Sequence, residues 1–165
     1  MRIAVLNGPN LNLLGTREPA LYGSATLADI EQRLRALGQE IGAELSFVQR
    51  NGEGELIDAI HALRGSAAGA IVNAGAYSHS SLAIRDALAA VGLPFVEVHL
   101  TNIYAREPER RHSMLAPAAR AVVCGFGAAG YELALRGLVD LLSGASGPAA
   151  RPARAPAAGA RSGRG

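Results

Sequence analysis

The sequence contains no lysine: all 16 of its basic residues are arginine. That excludes any mechanism built on a lysine Schiff base, including attachment of pyridoxal phosphate. Cysteine occurs once, at Cys124, so neither an intramolecular disulfide nor a cysteine-based zinc cluster can form. A reducing compartment is implied, with Cys124 expected in a buried strand. No apolar run reaches the roughly 18 to 20 residues that cross a bilayer, and the opening MRIAVLNGPN has neither the length nor the cleavage site of a signal peptide. The expectation is a cytoplasmic protein with no membrane contact.

What is present is globular. Of 165 residues, 49% are hydrophobic and 18% charged, which suits one domain with a sizeable core. The net charge of +2 is misleading, because Arg151, Arg154, Arg161 and Arg164 stand in GPAARPARAPAAGARSGRG beside no acids. Without those four arginines the body is about −2, so the basicity does not argue for a nucleic-acid surface. A Pro/Ala/Gly/Arg stretch cannot bury enough surface to order itself. We expect one domain over 1–143 and a disordered tail over 144–165.

Strand-like runs IAVL, ELSFVQ, GAIVNA, PFVEVHL and RAVVCGF alternate with helix-period segments beginning near TLADIEQRLRAL, GELIDAIHALRG, SLAIRDALAAVG and GYELALRGLVDLLSG. Only NIYAREPERRHSML, between the fourth and fifth strands, reads as a loop with a short helical turn. Such alternation predicts an α/β protein, a flavodoxin-like three-layer fold with a five-stranded parallel sheet, whose ligands bind beyond the carboxyl ends of the strands. The first strand opens into NGPNLNLLGTREPALYG, residues 7–23, far longer than the ordinary 2 to 6 residues of such a connection. GFGAAG at 125–130 looks like a dinucleotide fingerprint, but no second strand follows to carry the acid that contacts a ribose, so tight strand-to-helix packing is the better reading.

The groups able to do chemistry sit at those strand ends. Glu97 and His99 are two apart on a strand and so share a face. A carboxylate beside an imidazole fixes its tautomer and favours its protonated form, which suits a general acid, although a solvated histidine at a strand end is equally compatible with the pattern. His79 is expected at a helix start after Asn73 and Tyr77, where free N–H groups could hold an anionic or hydroxylated ligand. His61 and His112 read as surface residues. His79 and His99 have no third partner at metal-binding spacing, and Ser78, Ser80 and Ser81 show no nucleophile elbow and read as helix caps. Tyr22 with Arg17 close by can become a phenolate base. A base, an acid, neutral asparagine donors and no cofactor suit proton abstraction beside a carbonyl with loss of a hydroxyl.

Four motifs in order, NGPNLNLLGTREPALYG, RNGEGELIDAIH, NAGAYSHSSLAIRDAL and EVHLTNIYAREPERRHS, closely resemble the type II 3-dehydroquinate dehydratases (type II dehydroquinases) of the shikimate pathway, over residues 2 to about 142. The resemblance implies a flavodoxin-like fold and a homododecamer, a tetramer of trimers. It implies anti elimination of water from 3-dehydroquinate through an enolate to 3-dehydroshikimate, without metal or cofactor. By motif, Tyr22 resembles the base that takes the C2 proton and Arg17 the residue that lowers its pKa. His99 resembles the acid for the C1 hydroxyl, Glu97 its partner, and Asn10 the support of the enolate oxygen. Asn73, His79, Asp86, Leu100, Thr101 and Arg110 match substrate-binding positions, Leu100 and Thr101 through backbone to the carboxylate and Asp86 reaching a neighbouring subunit's site. The long loop would then be a lid that brings the base to the substrate. Arg50, Tyr104 and the EPER at 107–110 depart from the usual pattern. A nucleotide-dependent oxidoreductase resting on GFGAAG and a non-catalytic binding module remain the alternatives; the joint presence of a base and an acid weighs against the second.

Overall fold

The computed structural model describes residues 1–16 and 24–144. Arg17, Tyr22 and the rest of residues 17–23, part of the loop expected to act as a lid, and residues 145–165 of the expected tail lie outside those residues.

Five strands form one parallel sheet: β1 (Arg2–Asn7), β2 (Glu44–Gln49), β3 (Gly69–Asn73), β4 (Phe95–His99) and β5 (Ala121–Cys124), in the order β2-β1-β3-β4-β5. Four helices connect or follow them: α1 (Leu27–Ile41), α2 (Glu53–His61), α3 (Leu82–Val91) and α4 (Ala129–Leu142). The expected flavodoxin-like α/β architecture is therefore present.

Period-two alternation on β1 divides its side chains between two cores. Ile3 and Val5 pack with Ile30 and Leu34 of α1 and Leu135 and Leu138 of α4, whereas Ala4 and Leu6 pack with Leu56 and Ile60 of α2 and Ile84 and Leu88 of α3. Each fully buried leucine or isoleucine contributes about 1.5–3 kcal/mol of transfer free energy. The helix ends are specified locally. Thr26 and Asp29 close a capping box at the start of α1, and Gly42, with φ of 74°, ends it by an N–H bond to Gly38 O. Ser81 accepts from Ile84 N and caps α3, the capping role expected of the serine cluster.

Two expectations shift. Cys124 is half-buried rather than buried, because β5 is an edge strand whose Ala121 and Val122 are exposed. His79 is not at a helix start: it closes a 3-10 turn, Gly75–His79, and the first N–H groups of α3 lie beyond it under the Ser81 cap. The segment between β4 and β5 is a loop as expected, with 3-10 turns at Ile103–Ala105 and Pro108–Arg110.

The strand order reverses between β1 and β3, the place where an open parallel sheet leaves a crevice at its carboxyl edge. The last residues of those strands, Asn7 and Asn73, are register partners, and Gly8 N donates to Asn73 O at 2.8 Å just beyond. A Cβ on Gly8 would stand 2.3 Å from Ala74 O, so this close approach requires glycine.

Candidate active site

A cleft opens at this edge, lined by Asn10, Asn73, His79, His99, Arg106 and Arg110 among others. Leu100 and Thr101, the two residues after β4, line it too. Of the expected site residues, the structure thus brings Asn10, Asn73, His79, His99, Leu100, Thr101 and Arg110 around one space. Glu97 stands behind His99. Asp86 is exposed on α3 beside Arg85 and does not line this cleft.

β4 delivers the acid pair. Glu97 is fully buried, and His99 Nε2 donates to its Oε1 at 2.7 Å. The same carboxylate oxygen accepts from Ser113 Oγ at 2.6 Å, while Ser113 Oγ accepts from the N–H groups of Leu115 and Ala116 at 3.0 Å each. With both its lone pairs facing N–H donors, the serine hydroxyl is left to donate to Glu97. Spacing alone placed Glu97 and His99 on one face; Ser113, sixteen residues away, closes the fourth motif but had no role assigned to it there.

Asn73 is held by a polar chain with one sense. Gly75 N donates to Asn73 Oδ1 at 3.2 Å, Asn73 Nδ2 donates to Tyr131 Oη at 2.9 Å, and Tyr131 Oη donates to Asn7 Oδ1 at 2.6 Å. A backbone N–H can only donate, so it fixes the Asn73 amide and leaves the second Nδ2 hydrogen as a donor at the cleft. Burial pushes the Tyr131 phenol well above its ordinary pKa, against a smaller opposing effect of Asn73, so the hydroxyl keeps its proton. From the sequence Tyr131 had no assigned role. Tyr77, expected near a ligand, instead donates to Asn51 O at 3.0 Å.

Asn10 is the only non-glycine residue with positive φ (67°) among the described residues, and Asn51 Oδ1 accepts its N–H at 3.0 Å. Gln49 Nε2 ties the same segment down through Gly8 O at 3.1 Å and Asn51 Oδ1 at 2.9 Å. On the opposite wall Glu107 pairs with Arg110 Nε at 2.6 Å and Arg106 Nε at 3.1 Å. Its own backbone N–H and then the Arg110 and Arg106 guanidiniums hold the Glu107 carboxyl down to about 2. Arg106 also donates to Thr101 Oγ1 at 3.4 Å. It is a cationic member of the cleft that the motif reading passed over.

The ring of His79 stacks on that of His99, centroids 5.7 Å apart and planes 21° apart. His112, read as a plain surface residue, is exposed but bonded to His79 on both sides.

The glycine run at 125–130 is a turn, not a phosphate cradle. Gly125 and Gly127 have φ of 89° and 55°, and their N–H groups donate to His99 O at 3.2 Å and Leu100 O at 2.9 Å. Amides engaged in this way hold the end of β4 in place, which removes the basis of the oxidoreductase alternative.

The profile of the family described as Dehydroquinase class II matches residues 1–139. The chain belongs to the class II dehydroquinase family. Among relatives, this dehydroquinase is 62% identical over 142 residues to the 3-dehydroquinate dehydratase of Gemmatimonas aurantiaca, covering 86% of this chain and 93% of that one. It is 53% identical to that of Jannaschia sp., covering 90% of this chain and all of the other. Its fold superimposes on the crystal structure of type II dehydroquinase from Butyrivibrio crossotus with a TM-score of 0.81 at 37% identity, over 87% of this chain and 97% of that one. The Propionibacterium acnes type II dehydroquinase gives 0.80 at 40% identity, over 84% and 95%.

Proposed function

We propose that this class II dehydroquinase is a 3-dehydroquinate dehydratase, a hydro-lyase of the shikimate pathway, working in the cytoplasm as a homododecamer built from four trimers. Tyr22, its pKa lowered by Arg17, takes the C2 proton of 3-dehydroquinate, and the C–H electrons move onto the carbonyl oxygen as an enolate that Asn10 supports. The enolate then collapses, the C1–O bond breaks, and His99 gives its proton to the departing hydroxyl. The products are 3-dehydroshikimate and water. Asn73, His79 and Arg110 hold the substrate, with the backbone at Leu100 and Thr101 at its carboxylate, and Asp86 acts toward a neighbouring subunit.

The observation that carries this reading is the buried Glu97 bonded at 2.7 Å to Nε2 of His99, which lines the cleft. With Nε2–H directed at Glu97, Nδ1 is the nitrogen left to pass a proton to a leaving group. Addition of 3-dehydroquinate to the purified protein should generate the absorbance of a conjugated enone, and His99→Ala should reduce the rate by roughly 10² to 10⁴. Folded wild-type protein that produces no such signal across the neutral pH range would overturn the assignment.

A further inference from the structure

Residues 112–114 run beside the Gly75–His79 turn, and two histidines join the segments reciprocally. His79 Nδ1 donates to His112 O at 2.7 Å, and His112 Nε2 donates to His79 O at 2.9 Å. Met114 N adds a 2.7 Å bond to Ser78 O. A carbonyl oxygen can only accept, so Nδ1 of His79 must carry a proton, and a neutral His79 ring keeps its lone pair on Nε2. Burial is the largest influence on His79 and lowers its pKa; the bond to His112 O opposes this, and the His99, Arg110 and His112 charges lower it further. The neutral ring is the working form near pH 7.

We propose that His112 is a positioning residue: clasped to His79 from the exposed side of the loop, it holds that ring as the Nδ1–H tautomer, with Nε2 presented in the cleft as an acceptor for a substrate hydroxyl. The inference rests on the reading that this cleft takes a hydroxylated cyclic carboxylate. The two stacked histidines then have opposite duties, His99 donating and His79 accepting, and a hydroxyl oriented toward His79 Nε2 is distinguished from a hydrogen in the same place. The side chain of His112 matters because its bond to His79 O sets the spacing at which the 2.7 Å bond in the other direction closes.

His112→Leu removes the donor from a residue that is exposed, and His112→Gln retains an N–H at similar reach. With 3-dehydroquinate as substrate, His112→Leu should raise KM about three- to tenfold, the worth of one neutral hydrogen bond, with kcat within about twofold. His112→Gln should recover most of the loss. In a His79→Ala background, His112→Leu should change KM no further, because the effect is transmitted through His79. An unchanged KM in His112→Leu, or the same increase with His79 absent, would overturn the positioning role. Absence of turnover in the wild type would instead overturn the reading on which it rests.

Discussion

Tyr131 lies outside the four sequence motifs of the site, yet its hydroxyl accepts from Asn73 Nδ2 and helps hold that amide at the cleft. Tyr131→Phe would leave Asn73 Nδ2 and Asn7 Oδ1 buried without their partner. Each such loss costs about 1–3 kcal/mol, so the urea midpoint should fall, and KM should rise as the Asn73 amide loses its fixed sense. A stable variant with unchanged KM would mean that Gly75 N alone orients the amide. For the opening loop the decisive measurement is a pH profile. If Tyr22 acts as a phenolate, kcat rises with pH through the depressed tyrosine pKa. Arg17→Met should move the acidic limb alkaline by about 1 to 3 units. An acidic limb that stays in place while KM alone rises would reduce Arg17 to uniform substrate binding.

The strand ends and turns form the scaffold on which those side chains act. β4 presents Glu97 and His99 on one face, and the Gly125 and Gly127 amides pin the residues at and just after its end. The loop that follows returns through Arg106 and Arg110, joined by Glu107, to His112 and Ser113, which reach His79 and Glu97 respectively. On the opposite wall, β1 passes directly into Gly8, packed against the Ala74 carbonyl. Gly8→Ala forces a Cβ against backbone that cannot rotate aside. The expected cost is about 1–3 kcal/mol, as for other overpacked sites, together with loss of activity from displacement of Asn10 and Asn73. Thermal melting and turnover measured on the same preparation test it, and a variant matching wild type in both would show that the β1 end can yield.

Across the chain, the cores on the two sheet faces are closed by helices, the last of which ends at Leu142. The segment beyond it has no apolar periodicity with which to dock. Truncation after Ser143 should therefore leave both turnover and assembly intact. Light scattering should report about twelve times the mass of one truncated chain, as for the full-length protein, and a truncated particle holding fewer chains than the full-length one would give the tail a role in assembly.

Strand and helix alternation, the capping residue Ser81, and the turn character of GFGAAG were legible from local sequence, because each depends on neighbours within a few residues: period, cap and φ. Glu97 and His99 were legible for the same reason, and the family motifs extended the reading to Asn10, Asn73, His79 and Arg110. Ser113 against Glu97, Tyr131 between Asn7 and Asn73, and His112 clasping His79 bridge 16 to 124 positions of sequence. Nothing in the period of a helix or strand encodes which distant hydroxyl or imidazole will satisfy a buried polar group. Sequence alone thus determined the elements and the family, and named the candidate reacting groups. Tertiary structure decided the strand order, which sets Asn7 beside Asn73, and with it the protonation sense of the hydrogen bonds. Those follow only once the sheet has closed and each buried donor must find an acceptor.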